Sequence, residues 1–354
     1  MNQMNMRCYQ LTAFGETLTA GEVFAPVPTG TEVLVKVMGA GVCHSDVHIM
    51  DGYQDLGSGR RASYGDKITL PLTLGHETAG RVVRAGPDAA GVELGANVLV
   101  CSWIGCGQCE TCHAGAENMC AQPRFLGLYR NGGFADFILV PDPKYLVDLG
   151  DLDPVEAAPL ACSGVTTYSA LKKLSPELAR MPVVIIGAGG LGLMAIGILR
   201  MMGGMGAVVI ETDPARRAAA LAAGAIAAID PAEADAAQQV GNAVGQPILA
   251  ILDLVGNTRS VSNALGLVGR MGKIVVVGLM GGDINLPIPM LPSRALTLQG
   301  SYIGSPAEVR ELVDVVKRHG IPRVPITRRP LSEASDAIED LRQGRFVGRF
   351  VLEP

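Results

Sequence analysis

VVIIGAGGLG, Val183–Gly192, is the stretch on which the fold turns. A β-branched apolar run meets a G-x-G-x-x-G at Gly187, Gly189 and Gly192, with Gly190 and Leu191 between the last two, and an apolar helix-like segment follows. Buried strand, tight turn and buried helix in that order open a βαβ unit that binds a dinucleotide. The glycines let the backbone approach a pyrophosphate, which then sits at the positive end of the helix. A second strand, AVVIE, ends in Glu211, the spacing at which an acid bonds the adenosine ribose hydroxyls. Glu211 repels a 2′-phosphate, so NAD is expected over NADP, although Arg216 and Arg217 follow closely. A tight turn with no ligand is the simpler alternative that this full arrangement outweighs.

From Met181 to Leu199 the chain carries no charge and approaches the length that crosses a bilayer. Its glycine cluster divides it into strand, turn and helix, so a membrane span is not expected. Beyond it, Ala-rich helical stretches alternate with apolar strands such as PILAILDLVG and GRMGKIVVVGLM, the texture of a doubly wound parallel sheet. Before it, short runs such as EVLVKVMGAGVC and GANVLVC, punctuated by Gly and Pro, read as a compact β domain. After Gln299 a helix, PAEVRELVDVVKRHG, and a last strand, GRFVGRFVLEP, look like a return to that first domain. The expected division is 1–158, 159–298 and 299–354.

At 354 residues, 48% hydrophobic and 18% charged, the chain has the composition of a well-buried globular protein of two domains. A net charge of −5 with scattered basic residues gives no reason to expect nucleic acid or an anionic membrane as partner. The N-terminus lacks a signal-peptide pattern, so reduced thiols and the cytoplasm are expected.

Four of the eight cysteines, Cys106, Cys109, Cys112 and Cys120, follow C-x2-C-x2-C-x7-C. That spacing suits four thiolates closing on one tetrahedral zinc, although disulfides or an iron–sulfur cluster could use similar ones. Four thiolates leave no open coordination position, so such a zinc is structural. A catalytic zinc needs three protein ligands and a vacancy. Cys43 in GVCHSDVH, His76 in LGHETAG and Cys162 in PLACSGVTTYSAL are candidates, but spacing alone cannot show that they converge.

Taken together, GVCHSDVH, GHETAGRVVRAG, the four-cysteine lobe, NGGFADF, ACSGVTTYSALKK, the glycine-rich turn and the terminal VGRFVL resemble the zinc-dependent medium-chain alcohol dehydrogenases, in order and over nearly the whole chain. The resemblance implies an α/β fold: a GroES-like β-rich catalytic domain and a Rossmann doubly wound domain. It implies two zincs per chain and NAD. Cys43, His76 and Cys162 would bind the catalytic zinc, with Glu77 behind it as an occasional alternative ligand and Asp46 orienting His76. Ser45 would take the place of the relay hydroxyl and His48 that of the surface histidine. His44 and Arg349 would meet the pyrophosphate, and Thr166 and Leu191 the nicotinamide. Tyr53 and Trp103 fall where relatives place pocket walls, and Leu279 would line the pocket from the cofactor domain.

The implied activity is reversible hydride transfer between an apolar primary or secondary alcohol, giving the aldehyde or ketone, and NAD. Cys162, where polyol dehydrogenases of the superfamily usually carry a carboxylate, favours a simple alcohol. Two rivals stand: a dehydrogenase for a specialised catabolic alcohol, aryl or cyclic hydroxyacyl-CoA, and an NAD- and zinc-binding redox sensor without turnover. A homo-oligomer is expected, a tetramer before a dimer. The main departure from typical relatives is a longer crossing between Gly52 and Leu70. It reads as a surface loop that could border the substrate entrance, with Arg60 and Arg61 able to meet an anionic tail.

Overall fold

The computed structural model describes residues 4–65 and 67–354. Six parallel strands form one sheet in the order Ala227–Ile229, Ala207–Ile210, Val183–Ile186, Ala250–Asp253, Lys273–Val276 and Thr297–Gly300. The central strands are buried along their whole length, as a sheet covered by helices on both faces requires. Strand order reverses between Val183–Ile186 and Ala250–Asp253, and the crevice beyond that switch point is where open α/β sheets take ligands. The glycine-rich turn lies there, at the start of the helix Gly190–Met201.

The second large sheet is mostly antiparallel and is built on Val33–Gly41, flanked by Glu77–Ala85, Phe137–Val140 and Arg349–Glu353. The last strand of the chain thus pairs with one near its start. Two registers decide the chemistry. Gly41 lies opposite Glu77 in one pairing and opposite Val351 in the other. Cys43, His76 and Arg349 each lie within two residues of those partners, so all come to the same end of the sheet. The segment Ala158–Ala161 packs on that sheet and delivers Cys162 to the head of the helix Ser163–Lys173, which runs against Gly190–Met201.

The helix Pro306–His319 fills the seam, packing on both of those helices. Ser305 and Glu308 close a capping box at its start. Residues Tyr53–Ser63, expected as a loop, form a two-stranded hairpin instead. It docks on the segment after Lys273–Val276 at both ends: near its base Gln54 Nε2 donates to the Leu279 carbonyl at 2.6 Å, and at its tip Ser58 Oγ and the Arg60 guanidinium both bond the Asp283 carboxylate.

Candidate active site

Cys43 precedes the helix His44–Asp51 in extended backbone, and its N–H donates to Asp46 Oδ2 at 2.9 Å. The other Asp46 oxygen lies 3.3 Å from His76 Nδ1, both side chains fully buried. His76 follows Gly75, whose φ of +94° and contact with Phe134 leave no room for a side chain. Cys43, His76, Glu77 and Cys162 bring one ligand atom each to within 4.8 Å of one another. The Trp103 ring lies 5.2 Å from His76, and its Nε1–H donates to the Ala161 carbonyl at 2.9 Å, fixing the turn that carries Cys162.

His76 Nε2 and Glu77 Oε2 are buried with no hydrogen-bond partner among the described residues. Orphaned buried polar atoms call for an explanation, and a cation bound between them is one. The electrostatics agree. A shared hydrogen bond with Cys162 holds the Cys43 thiol well below its ordinary value, with His76 assisting, and Cys162 is raised in turn. Burial opposes the charged imidazole of His76, but Asp46 and Cys43 raise its pKa overall. Burial pushes Glu77 up to about 7, opposed by the Arg349 guanidinium, which bonds Glu77 Oε1. Two thiols and an imidazole fit zinc with one position to spare, and the Glu77 carboxylate lies within reach as an alternative to that vacancy.

The second cluster also fits. Sulfur separations are 3.9 Å for Cys106–Cys112, 3.5 Å for Cys109–Cys112 and 3.8 Å for Cys109–Cys120. A tetrahedron of zinc–sulfur bonds of about 2.3 Å has edges of about 3.8 Å, whereas a disulfide holds its sulfurs about 2.0 Å apart. Backbone N–H groups of Gln108 and Gln122 donate to Cys106 and Cys120, as suits thiolates, and the first of these helps hold Cys106 down at about 6. Behind the cluster, Glu117 is buried and accepts from Gly105 N–H, Tyr145 Oη–H and Lys144.

The cofactor crevice opens beside the first cluster. Gly187 has φ +95°, and a Cβ on Gly192 would sit 2.2 Å from the Gly187 carbonyl, so neither position admits another residue. A Cβ on Gly189 would meet nothing, leaving an open cradle at the helix start. Glu211 accepts from Ala188 N–H at 2.7 Å, stiffening the turn. Arg217 is engaged by Asp230 and by the carbonyls of Glu211 and Thr212, whereas Arg216 reaches the Gly344 carbonyl. The Arg349 side chain lies against Gly190, and among the described residues neither its Nε nor the buried Thr166 Oγ1 has a hydrogen-bond partner. Leu191 is half-buried on the first turn.

His44, Ser45 and His48 share the first turns of the helix that Cys43 heads, with His44 exposed and the other two half-buried. Burial lowers the pKa of His48. Trp103 is 2% exposed and belongs to the core as much as to any pocket. The face of Tyr53 is covered by the Arg61 guanidinium at 3.9 Å, and Arg60 pairs with Asp283. Leu279 is exposed, with its carbonyl taken by the hairpin. Sequence reading missed Gly41, where a Cβ would strike the Glu77 carboxylate, and Glu117, an acid inside the cysteine run whose position was its only signal.

A nucleotide crevice against a buried thiolate–imidazole cluster defines the class: a metal-dependent dehydrogenase. Residues 29–151 match the alcohol dehydrogenase GroES-like domain and residues 190–318 the zinc-binding dehydrogenase domain. The chain is 35% identical to an NAD-dependent alcohol dehydrogenase of Sulfurisphaera tokodaii over 99% of its length and 100% of that protein's. It superposes on the alcohol dehydrogenase of Aeropyrum pernix with a TM-score of 0.86 at 31% identity, covering 98% of this chain and 100% of that one. The D-arabinose dehydrogenase of Sulfolobus solfataricus gives 0.83 at 31%, covering 99% and 100%. The chain belongs to the zinc-dependent medium-chain alcohol dehydrogenase family. Its activity is NAD-dependent oxidation of an alcohol with zinc, and the rival readings as a specialised dehydrogenase or a sensor without turnover are not favoured.

Proposed function

We propose that the enzyme interconverts a primary or secondary alcohol with its aldehyde or ketone at Cys43, His76 and Cys162. The observation that carries this is the convergence of those ligand atoms with Glu77 beside the glycine-rich turn. The bound metal supplies polarisation of the alcohol or carbonyl oxygen, and bound NAD takes up or gives the hydride. Asp46 holds His76 in place. Ser45 receives the substrate proton and passes it towards His48, which burial keeps neutral and able to accept it at pH 7. Glu77 would serve as an alternative ligand and is tethered by Arg349.

The cofactor roles follow the same geometry. Gly187, Gly189, Gly190 and Gly192 with His44 and Arg349 receive the pyrophosphate. Thr166, Leu191 and Leu279 receive the nicotinamide, and Glu211 the adenosine ribose, with Arg216 at the rim. Tyr53 and Trp103 bound the substrate side. A second zinc in the lobe of Cys106, Cys109, Cys112 and Cys120 is structural. The domains divide at 1–158, 159–298 and 299–354.

The enzyme assembles as a homo-oligomer, a tetramer before a dimer. Supporting this, the edge strand Thr297–Gly300 is exposed along its length, and Met271, Met280, Ile288 and Leu298 stand exposed in and around it. A cytoplasmic location is supported by free thiols throughout, and no described helix is long and apolar enough to cross a membrane.

The deciding experiment measures zinc per chain and NAD-dependent oxidation of benzyl alcohol, cyclohexanol and ethanol, in the intact protein and in Cys43→Ser. Two zincs falling to one, with activity lost and the fold kept, is expected. One zinc throughout refutes the two-site reading.

A further inference from the structure

The glycine-rich turn lies at the joint between the two large sheets. A Cβ on Gly189 would meet nothing, but one on Gly190 would sit 2.3 Å from Arg349 Cδ and 2.9 Å from the Gly348 carbonyl, at the start of the last strand of the antiparallel sheet. A dinucleotide bound at the turn is therefore bordered by both sheets, and its exchange is eased whenever they move apart. The helices Ser163–Lys173, Gly190–Met201 and Pro306–His319 pack together where the sheets join. The inserted hairpin makes a separate connection between them.

The hairpin begins at Gly52, the left-handed cap of the helix that Cys43 heads, and among the described residues its two strands pair only with each other. Its side contacts go instead to Leu279–Asp283, the loop that leaves the parallel sheet after Lys273–Val276. At the base Gln54 Nε2 donates to the Leu279 carbonyl at 2.6 Å. A Cβ on Gly281 would come within 3.1 Å of Asp55 Cβ. At the tip Gly57 has φ +83°, and a Cβ there would sit 2.6 Å from the Gly282 carbonyl, so the two backbones touch where only glycine fits. Both Asp283 carboxylate oxygens are given to the hairpin, Oδ2 to Ser58 Oγ–H and Oδ1 to the Arg60 guanidinium at 3.4 Å. The loop itself is held to the parallel sheet's own layer, because Asp283 N–H donates at 3.1 Å to Thr258 Oγ1 at the head of the helix Thr258–Leu267. Any parting of the two sheets on this side therefore pulls on the hairpin.

We propose that the hairpin Tyr53–Ser63 is a clasp across the joint between the two sheets, and that its release gates exchange of the dinucleotide. The inference rests on NAD binding at the glycine-rich turn and is independent of which alcohol is oxidised. The Arg60 and Asp283 side chains are 69% and 46% exposed, so water and salt screen their pairing. Bonds of that kind make a latch that opens locally while both sheets stay folded. Opening precedes both entry and exit, so a weakened clasp raises the open population of the free and of the loaded enzyme alike. Association and release then quicken by the same factor, and the affinity is kept. A group that merely touches the cofactor behaves differently: its loss quickens release and weakens binding in proportion.

The test follows NADH fluorescence by stopped flow with the zinc-loaded enzyme and no alcohol present, so that turnover plays no part. Asp283→Ala frees the tip, Gln54→Ala frees the base, and the two are also combined. With the hydrogen bonds of both ends removed, the association and release rate constants are each expected to rise about tenfold, with Kd unchanged and the single variants in between. Rate constants unmoved in the combined variant overturn the proposal. So does faster release matched by an equal loss of affinity, which makes the hairpin a cofactor contact and not a gate. Failure of the intact enzyme to bind NADH overturns the proposal together with the NAD reading beneath it, whereas gated NADH exchange without oxidation of any alcohol supports the clasp and refutes the oxidation reading alone.

Discussion

Arg349 carries more of the site than its place near the C-terminus suggests. It is 5% exposed, bonds the fully buried Glu77, and lies against the first turn of the nucleotide-binding helix. Removing one partner of a buried ion pair strands the other. Arg349→Met is therefore expected to destabilise the fold by about 3–5 kcal/mol, with Glu77→Gln in the same chain recovering part of that, measured by denaturant unfolding. His48 gives a prediction of another kind. Burial lowers its pKa below the ordinary histidine value, so the neutral, proton-accepting form dominates at pH 7 and is lost only as pH falls further. His48→Gln is expected to slow alcohol oxidation on the order of 10²-fold at pH 7. The deficit should narrow as pH rises and hydroxide replaces the relay; a pH-independent deficit refutes the role.

At the scale of elements, the four-cysteine lobe depends on an acid that is not a ligand. Glu117 gathers Gly105 N–H, the Tyr145 hydroxyl and Lys144, tying the lobe to the sheet behind it. Glu117→Ala leaves two buried donors unpaired, at a cost of about 1–3 kcal/mol each. Release of the zinc we propose for the lobe to a chelator should quicken, while that proposed at Cys43, His76 and Cys162 is retained. The hairpin Tyr53–Ser63 is held at its tip by Asp283. Asp283→Ala should raise amide exchange across Tyr53–Ser63 and leave the parallel sheet protected.

At the scale of the whole molecule, the edge strand Thr297–Gly300 presents unpaired backbone and the exposed Leu298. In the homo-oligomer we propose, Leu298→Lys places a charge on that edge and should lower the mass read by light scattering without loss of the monomer's fold; an unchanged mass refutes assembly through this edge. The same strand order brings the glycine-rich turn to the switch point, and the last strand of the chain returns to pair beside Gly41.

What the sequence determined by itself is local. The βαβ texture, the turn at Gly187–Gly192 and the four-cysteine lobe are written in residues a few positions apart, because strand, helix and chelate spacings are short-range constraints. Family likeness pointed to the proposed ligand set Cys43, His76 and Cys162, which spacing could not. Only the tertiary structure decided how these meet. The Gly41–Glu77 and Gly41–Val351 registers, the Trp103 bond beside Cys162 and the docking of the hairpin join residues tens to hundreds of positions apart. Such pairings are fixed by which faces can be buried together, and no local pattern records that.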